Sequence, residues 1–111
     1  MLQLNAFHGL ADIIEAVKVE GEQGDYFCLY GEDQDDLDLA GRYFVAGYPD
    51  VEHDREVYPP AVQHEGLSYL YSGQQFADVV WSLQQSRPDA RHEDYVRALN
   101  YYQDHDTFIE L

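Results

Sequence analysis

The sequence predicts an α+β domain with an N-terminal helix, a small antiparallel sheet of two or three strands, and two antiparallel helices at its C-terminal end. Apolar residues recur every three or four positions near both ends of the chain, a spacing typical of amphipathic helices. Two runs rich in aromatic residues, 25–30 and 42–48, lie between these regions and indicate strands. The length of 111 residues fits a single domain over residues 1–111.

The first helix is predicted over residues 4–18, with Asn5 as its N-cap and Gly21 just beyond its end. Its apolar stripe consists of Phe7, Leu10, Ile14 and Val17. The two aromatic strands that follow are expected to pair as a hairpin across an acidic segment, residues 31–38. This segment has too little apolar content to contribute to the core, so we expect an exposed loop. A second acidic segment, residues 50–56, follows the second strand. We therefore expect both acidic segments to lie near one end of the sheet.

A short helical turn is predicted to begin at Pro59 and Pro60, because proline suits the first position of a helix. Gly66 ends this turn, and residues 67–71 are predicted to form a short third strand. The tyrosines beside the acidic segments include Tyr48 and Tyr58. We expect about half of these rings to face the core and the others to be available for binding.

The two C-terminal helices have the clearest signals. Residues 72–75 match a capping box directly before an apolar stripe, and Pro88 stops that helix. Asp89 is predicted to cap the last helix, and the short connection makes the two helices antiparallel neighbours. Trp81 projects about 140° from the apolar stripe, given about 100° per residue. We predict that it packs against the hairpin or the last helix; the alternative is an exposed anchor for a partner.

The charge balance excludes several classes of function. The chain has 22 acidic and 6 basic residues, for a net charge of −16. Direct binding to nucleic acid or to anionic lipid needs clustered Lys and Arg, so neither is expected. No apolar run approaches the roughly 20 residues of a membrane span, and the N-terminus lacks the pattern of a secretory signal. A single cysteine, Cys28, suits a reducing compartment, so we predict a cytoplasmic protein.

The sequence gives little support for catalysis. The five histidines form no zinc-binding spacing, and the segment from residue 31 to residue 38 lacks the pattern of a calcium loop. Cys28 lies in a predicted strand, where the default interpretation is a small buried apolar residue. Neither a nucleophile elbow nor a glycine-rich phosphate loop is present. We therefore predict that the protein is not an enzyme and binds no cofactor or metal.

A basic protein partner is the better prediction. A strongly acidic surface attracts basic partners over a long range, and tyrosine is enriched at binding interfaces. The simpler interpretation is that the acidic residues only maintain solubility. The predicted partner-binding residues are Glu32, Asp33, Asp35, Asp36, Asp38, Asp50, Glu52, Asp54, Glu56, Tyr48 and Tyr58.

The second half of the chain, residues 59–109, resembles a family of small acidic bacterial proteins. The shared features are Pro60-Ala61 before Gly66-Leu67, the helix start at residues 76–80, and its end at residues 84–88. The most specific part is the ending at residues 98–109, which reads A-L-x-Y-Y-x-x-x-D-x-F-I. Proteins of this kind resemble the immunity proteins of polymorphic toxins, such as contact-dependent growth inhibition toxins.

The resemblance implies a protein that binds and neutralises a cognate toxin domain, and it brings no catalytic residues with it. With the acidic charge, it leads us to expect a basic nuclease domain whose active site this chain covers, and a monomer or weak dimer. An alternative is an inhibitor that mimics nucleic acid and acts on a host or defence protein. A small metal-dependent enzyme is the third possibility.

Overall fold

The computed structural model of the chain describes residues 2–34 and 36–109. Six strands and four α-helices lie within these residues, together with one 3₁₀ helix at Gly21–Asp25. The strands are β1 (Ala6–Gly9), β2 (Cys28–Gly31), β3 (Arg42–Ala46), β4 (Asp50–Glu52), β5 (Arg55–Val57) and β6 (Ser68–Tyr71). The α-helices are α1 (Leu10–Glu20), α2 (Pro60–Glu65), α3 (Gly73–Ser86) and α4 (His92–His105).

Four of the strands form one antiparallel sheet in the order β1-β3-β2-β6. The main core lies between one face of this sheet and the helices α1, α3 and α4. The opposite face carries a smaller apolar cluster, in which Val62 of α2 packs with Cys28, Tyr30, Phe44 and Ala46. The sheet is therefore covered on both faces, by three helices on one side and by the short helix α2 on the other.

Alternation along the strands explains the two clusters, because successive side chains point to opposite faces of a sheet. Leu29 faces the main core, whereas its neighbour Tyr30 faces the smaller cluster. Strand β6 departs from simple alternation at an irregularity in its pairing with β2. Tyr69 lies against Tyr30, with ring centroids 5.7 Å apart, whereas Tyr71, two positions later, belongs to the main core. The irregularity thus places these two tyrosines on opposite faces.

The predicted architecture is wrong in its count and order of elements, although the structure is α+β. The chain begins with strand β1 rather than with a helix over residues 4–18, and α1 begins only at Leu10. Asn5 does not cap the helix; it has a positive φ of 60° and its N–H donates to the carbonyl of Val45 on strand β3. Phe7 fits the helical spacing, but it lies on β1 with its ring 5.0 Å from that of Phe44.

The sheet also has four strands rather than two or three, and the acidic segment at residues 50–56 is largely regular structure. It forms most of a separate two-stranded hairpin, β4–β5, whose two-residue turn has positive φ angles of 50° at His53 and 63° at Asp54. Positive φ at both positions is the geometry of a type I′ turn. The usual sequence signal for this turn is Asn-Gly. The His53-Asp54 sequence lacks that signal, so the turn was not predicted.

The pairing of β2 with β3 and the extent of α3 match the sequence predictions. The Ser72 hydroxyl accepts a hydrogen bond from the Gln75 N–H at 3.4 Å, which is the predicted N-cap of α3. The start of α4 does not match, because its N-cap is Arg91 rather than Asp89, and Asp94 accepts the Arg91 N–H at 2.9 Å. Trp81 does not pack as predicted; it is 49% exposed and lies beside the 3₁₀ helix.

Candidate functional site

The segment between β2 and β3 is called the acidic loop here; the structure describes its residues 32–34 and 36–41. The side chain of Tyr43, which is buried, holds the loop in place through its hydroxyl group. The Tyr43 hydroxyl accepts hydrogen bonds from the Asp38 N–H at 2.7 Å and from Gln34 Nε2 at 2.9 Å. A Cβ atom at Gly41 would lie 2.8 Å from the same hydroxyl, so a residue without a side chain is needed there.

A second anchor fixes the acidic loop to helix α4. Asn100 Oδ1 accepts the Leu37 N–H at 2.8 Å, and Asn100 Nδ2 donates to the Leu37 carbonyl at 3.0 Å. The Leu37 side chain itself is 5% exposed and belongs to the main core. The expectation that this segment contributes nothing to the core is therefore wrong for Leu37. The acidic loop is held at both its backbone and its one buried side chain.

The acidic side chains of the loop point outwards. Glu32, Asp33, Asp36 and Asp38 are all exposed, and Asp35 lies outside the described residues. Asp38 has a structural role as well, because its Oδ1 accepts the Ala40 N–H at 3.0 Å. Within residues 2–34 and 36–109, no ion pair neutralises these four carboxylates. These four residues thus present uncompensated negative charges near the backbone anchors at Leu37 and Asp38.

Beside the acidic loop, an open groove of about 630 Å³ separates Asp36 from the C-terminal end of α4. Asp104 and Arg97 line it with opposite charges. Its aromatic wall is formed by the His105 ring, which stacks on Tyr101 with centroids 4.1 Å apart, and by Phe108, which is 47% exposed. The groove therefore joins negative charge to exposed aromatic surface.

The remaining predicted residues lie elsewhere. Asp50, Glu52, Asp54 and Glu56 are exposed on the β4–β5 hairpin. The acidic loop precedes β3 and the hairpin follows it, so the two segments leave this strand at opposite ends. The expectation that both lie near one end of the sheet is wrong, because it took no account of the direction of β3.

Tyr48 and Tyr58, the two predicted binding tyrosines, have structural contacts. The Tyr48 hydroxyl donates to the Asp25 carbonyl at 2.7 Å and accepts the Gln74 N–H at 2.8 Å, while its ring stays 44% exposed. Tyr58 stacks on Tyr69, with centroids 6.5 Å apart, over the smaller apolar cluster. Tyr48 thus retains surface for a partner, whereas Tyr58 mainly covers the sheet.

Side chains that could act as nucleophiles or metal ligands do not come together in a reactive site among the described residues. Cys28 is fully buried, as predicted, and this burial raises the pKa of its thiol, which opposes formation of the nucleophilic thiolate. No group of three or more His, Cys, Asp or Glu side chains has a metal-binding arrangement in residues 2–34 and 36–109. Across the same residues, no helix is both long and apolar enough to cross a membrane.

The sequence prediction missed the residues that shape the acidic loop: Gly41, Tyr43 and Asn100. Asn100 had one available signal, since asparagine is a poor helix former and stands in the middle of a helix. No sequence signal pointed to Tyr43 or Gly41, because the roles of these residues depend on contacts across the loop.

A family comparison places the chain among related sequences. The model of the family described as a domain of unknown function, DUF7716, matches residues 8–111, which include the acidic loop and the groove. The chain therefore belongs to this family. No curated protein and no solved structure shows significant similarity to it.

Proposed function

We propose that this protein is a cytoplasmic immunity protein that binds a cognate bacterial toxin domain and blocks its active site. The observation that carries the proposal is the acidic loop, in which Tyr43 and Asn100 anchor the backbone of Asp38 and Leu37 among exposed carboxylates. A nuclease toxin is the partner that fits, because its active-site cleft is built to attract phosphate groups. Carboxylates of the loop would occupy the positions of those phosphates.

The mechanism has two stages. First, the net charge of −16 steers a basic partner towards the protein and accelerates encounter. Second, the loop docks in the cleft with little loss of conformational entropy, since its backbone is already anchored at Leu37 and Asp38. The anchors at Leu37 and Asp38 are what make this loop different from a flexible acidic segment.

The groove beside the loop supplies apolar contact next to the charges. Tyr101 and Phe108 line it, and both belong to the ending that resembles immunity-type proteins. Exposed aromatic residues often provide most of the affinity at an interface, whereas exposed charges mainly set the association rate. We therefore expect the acidic loop to set the association rate with the partner and the groove to set the lifetime of the complex.

The test is the association kinetics of the purified chain with the product of the adjacent upstream reading frame, taken as the candidate toxin. Raising the salt concentration from about 0.01 to 0.1 M shortens the Debye length from about 30 to about 10 Å. We expect the association rate constant to fall by about tenfold or more, with little change in dissociation. An association rate that does not respond to salt would exclude steering.

A pair of matched variants locates the contact. Asp33→Asn with Asp36→Asn removes two charges from the acidic loop, and Asp50→Asn with Glu52→Gln removes two from the hairpin. Both pairs of side chains are exposed, so neither variant disturbs the core. The loop variant should slow association more than the hairpin variant. Equal slowing would show that only total charge matters, and absence of any complex would leave a broader nucleic-acid mimic as the alternative.

A further inference from the structure

Trp81 is the single tryptophan of the chain, and it stands on the solvent side of α3 with 49% of its surface exposed. Gln74, Asp78 and Trp81 are spaced by four and three positions, so they share one face of this helix. The apolar stripe of α3 points the other way, into the main core. Core packing therefore does not account for a side chain of this size at this position.

A pocket of about 250 Å³ lies beside Trp81, between α3 and the 3₁₀ helix. Trp81 is one of its lining residues, and so are Asp25 and Asp78, which are both exposed acidic residues. The Tyr48 hydroxyl links the two sides of the pocket. It donates a hydrogen bond to the Asp25 carbonyl at 2.7 Å and accepts one from the Gln74 N–H at 2.8 Å. The pocket is thus a fixed feature of the fold.

We infer that this pocket binds an arginine side chain of a protein partner. A guanidinium group stacks on an indole face and forms paired hydrogen bonds with carboxylates, and this pocket offers both kinds of group. Neither Asp25 nor Asp78 has an ion-pair partner within the described residues. Two carboxylates oppose an anionic ligand, and the Gln74 N–H near the start of α3 already donates to Tyr48.

The pocket is separate from the acidic loop. It lies beside the residues that lead into β2, whereas the acidic loop follows the end of that strand. The inference therefore goes beyond the proposed function and stands without the toxin, since it concerns the chemistry of one side chain. It also gives a binding role to Asp25 and Asp78, two acidic residues that are not part of the acidic loop.

Trp81 makes the test direct, because the intrinsic tryptophan fluorescence of the protein comes from this residue alone. The probe is a tripeptide of three arginines with blocked ends, compared with the corresponding tripeptide of lysines. We expect a saturable change in fluorescence with the arginine peptide and binding weaker by about tenfold with lysine, which cannot form paired bonds or stack as a plane.

Two double variants separate the pocket from general charge attraction. Asp25→Asn with Asp78→Asn should weaken binding of the arginine peptide by about tenfold, since both carboxylate partners are lost. Asp33→Asn with Asp36→Asn removes the same charge from the acidic loop and should leave the affinity within about twofold. Trp81→Phe, followed by calorimetry, should weaken binding further than the loop variant does.

Three results would overturn the inference. The first is a fluorescence change that rises without saturation, the second is equal affinity for the arginine and lysine peptides, and the third is equal weakening by the two double variants. Since all substituted carboxylates are exposed, circular dichroism of each variant provides a simple check that the fold is intact. Because no toxin domain is used, the result is independent of the proposed immunity function.

Discussion

At the scale of single residues, two buried tyrosines provide a matched comparison. Tyr95 is fully buried, and its hydroxyl has no hydrogen-bond partner among residues 2–34 and 36–109. A buried polar group without a partner costs free energy, so Tyr95→Phe removes a cost and no bond. We predict that the free energy of unfolding, measured by urea denaturation, is unchanged or rises by up to about 1 kcal/mol.

Tyr71→Phe is the control for this prediction. Its hydroxyl donates to the Leu99 carbonyl at 2.9 Å in the main core, and burial raises its pKa. Loss of this hydrogen bond should lower the free energy of unfolding by about 1 kcal/mol. If Tyr95→Phe were as destabilising as Tyr71→Phe, the Tyr95 hydroxyl would have to make a bond that the structure does not contain.

At the scale of elements, Asn100 is the link between α4 and the acidic loop. Asn100→Ala leaves the Leu37 N–H and carbonyl without their side-chain partner. We predict a free energy of unfolding lower by about 1–3 kcal/mol and faster amide hydrogen exchange in residues 36–41. The association rate with a basic partner should also fall, because the loop would have to be ordered during binding.

Gln103→Ala is the control on the same helix. Gln103 Nε2 donates to the Leu70 carbonyl of β6 at 2.8 Å, and it takes no part in the hydrogen bonds of the described loop residues to Asn100 and Tyr43. Its loss should leave hydrogen exchange in residues 36–41 unchanged. Equal acceleration of exchange in both variants would show that the loop responds to the general stability of α4 and not to the Asn100 anchor.

The elements that the sequence predicted well are those with local signals. Helix α3 has a Ser72 cap and a regular apolar stripe, and both determine its position without help from the rest of the chain. Strand β1 has no such signal, because Phe7 satisfies the helical spacing and its role as a strand residue comes from pairing with β3. The β4–β5 hairpin was missed for a similar reason, since its turn lacks glycine.

At the scale of the whole molecule, composition predicted the sign of the surface charge but not its distribution. The described acidic side chains of the loop were correctly predicted to be exposed, whereas its anchor on α4 depends on a contact between residues 63 positions apart. The position of the hairpin depends on the direction of β3 and could not be read from charge. Trp81 likewise needed the structure, because its exposure follows from how the 3₁₀ helix packs beside α3.

Bacterial growth provides a direct test of the proposed role of the acidic loop in neutralising a toxin domain. The product of the adjacent upstream reading frame, as the candidate toxin, is expressed alone, with the wild-type chain, or with a loop variant in which Asp33 and Asp36 are replaced by lysine. A variant with Asp50 and Glu52 replaced by lysine on the hairpin is the control of equal charge. We predict that the wild type and the hairpin variant restore growth and that the loop variant does not. Failure of the wild type to restore growth, or full rescue by the loop variant, would contradict the claim.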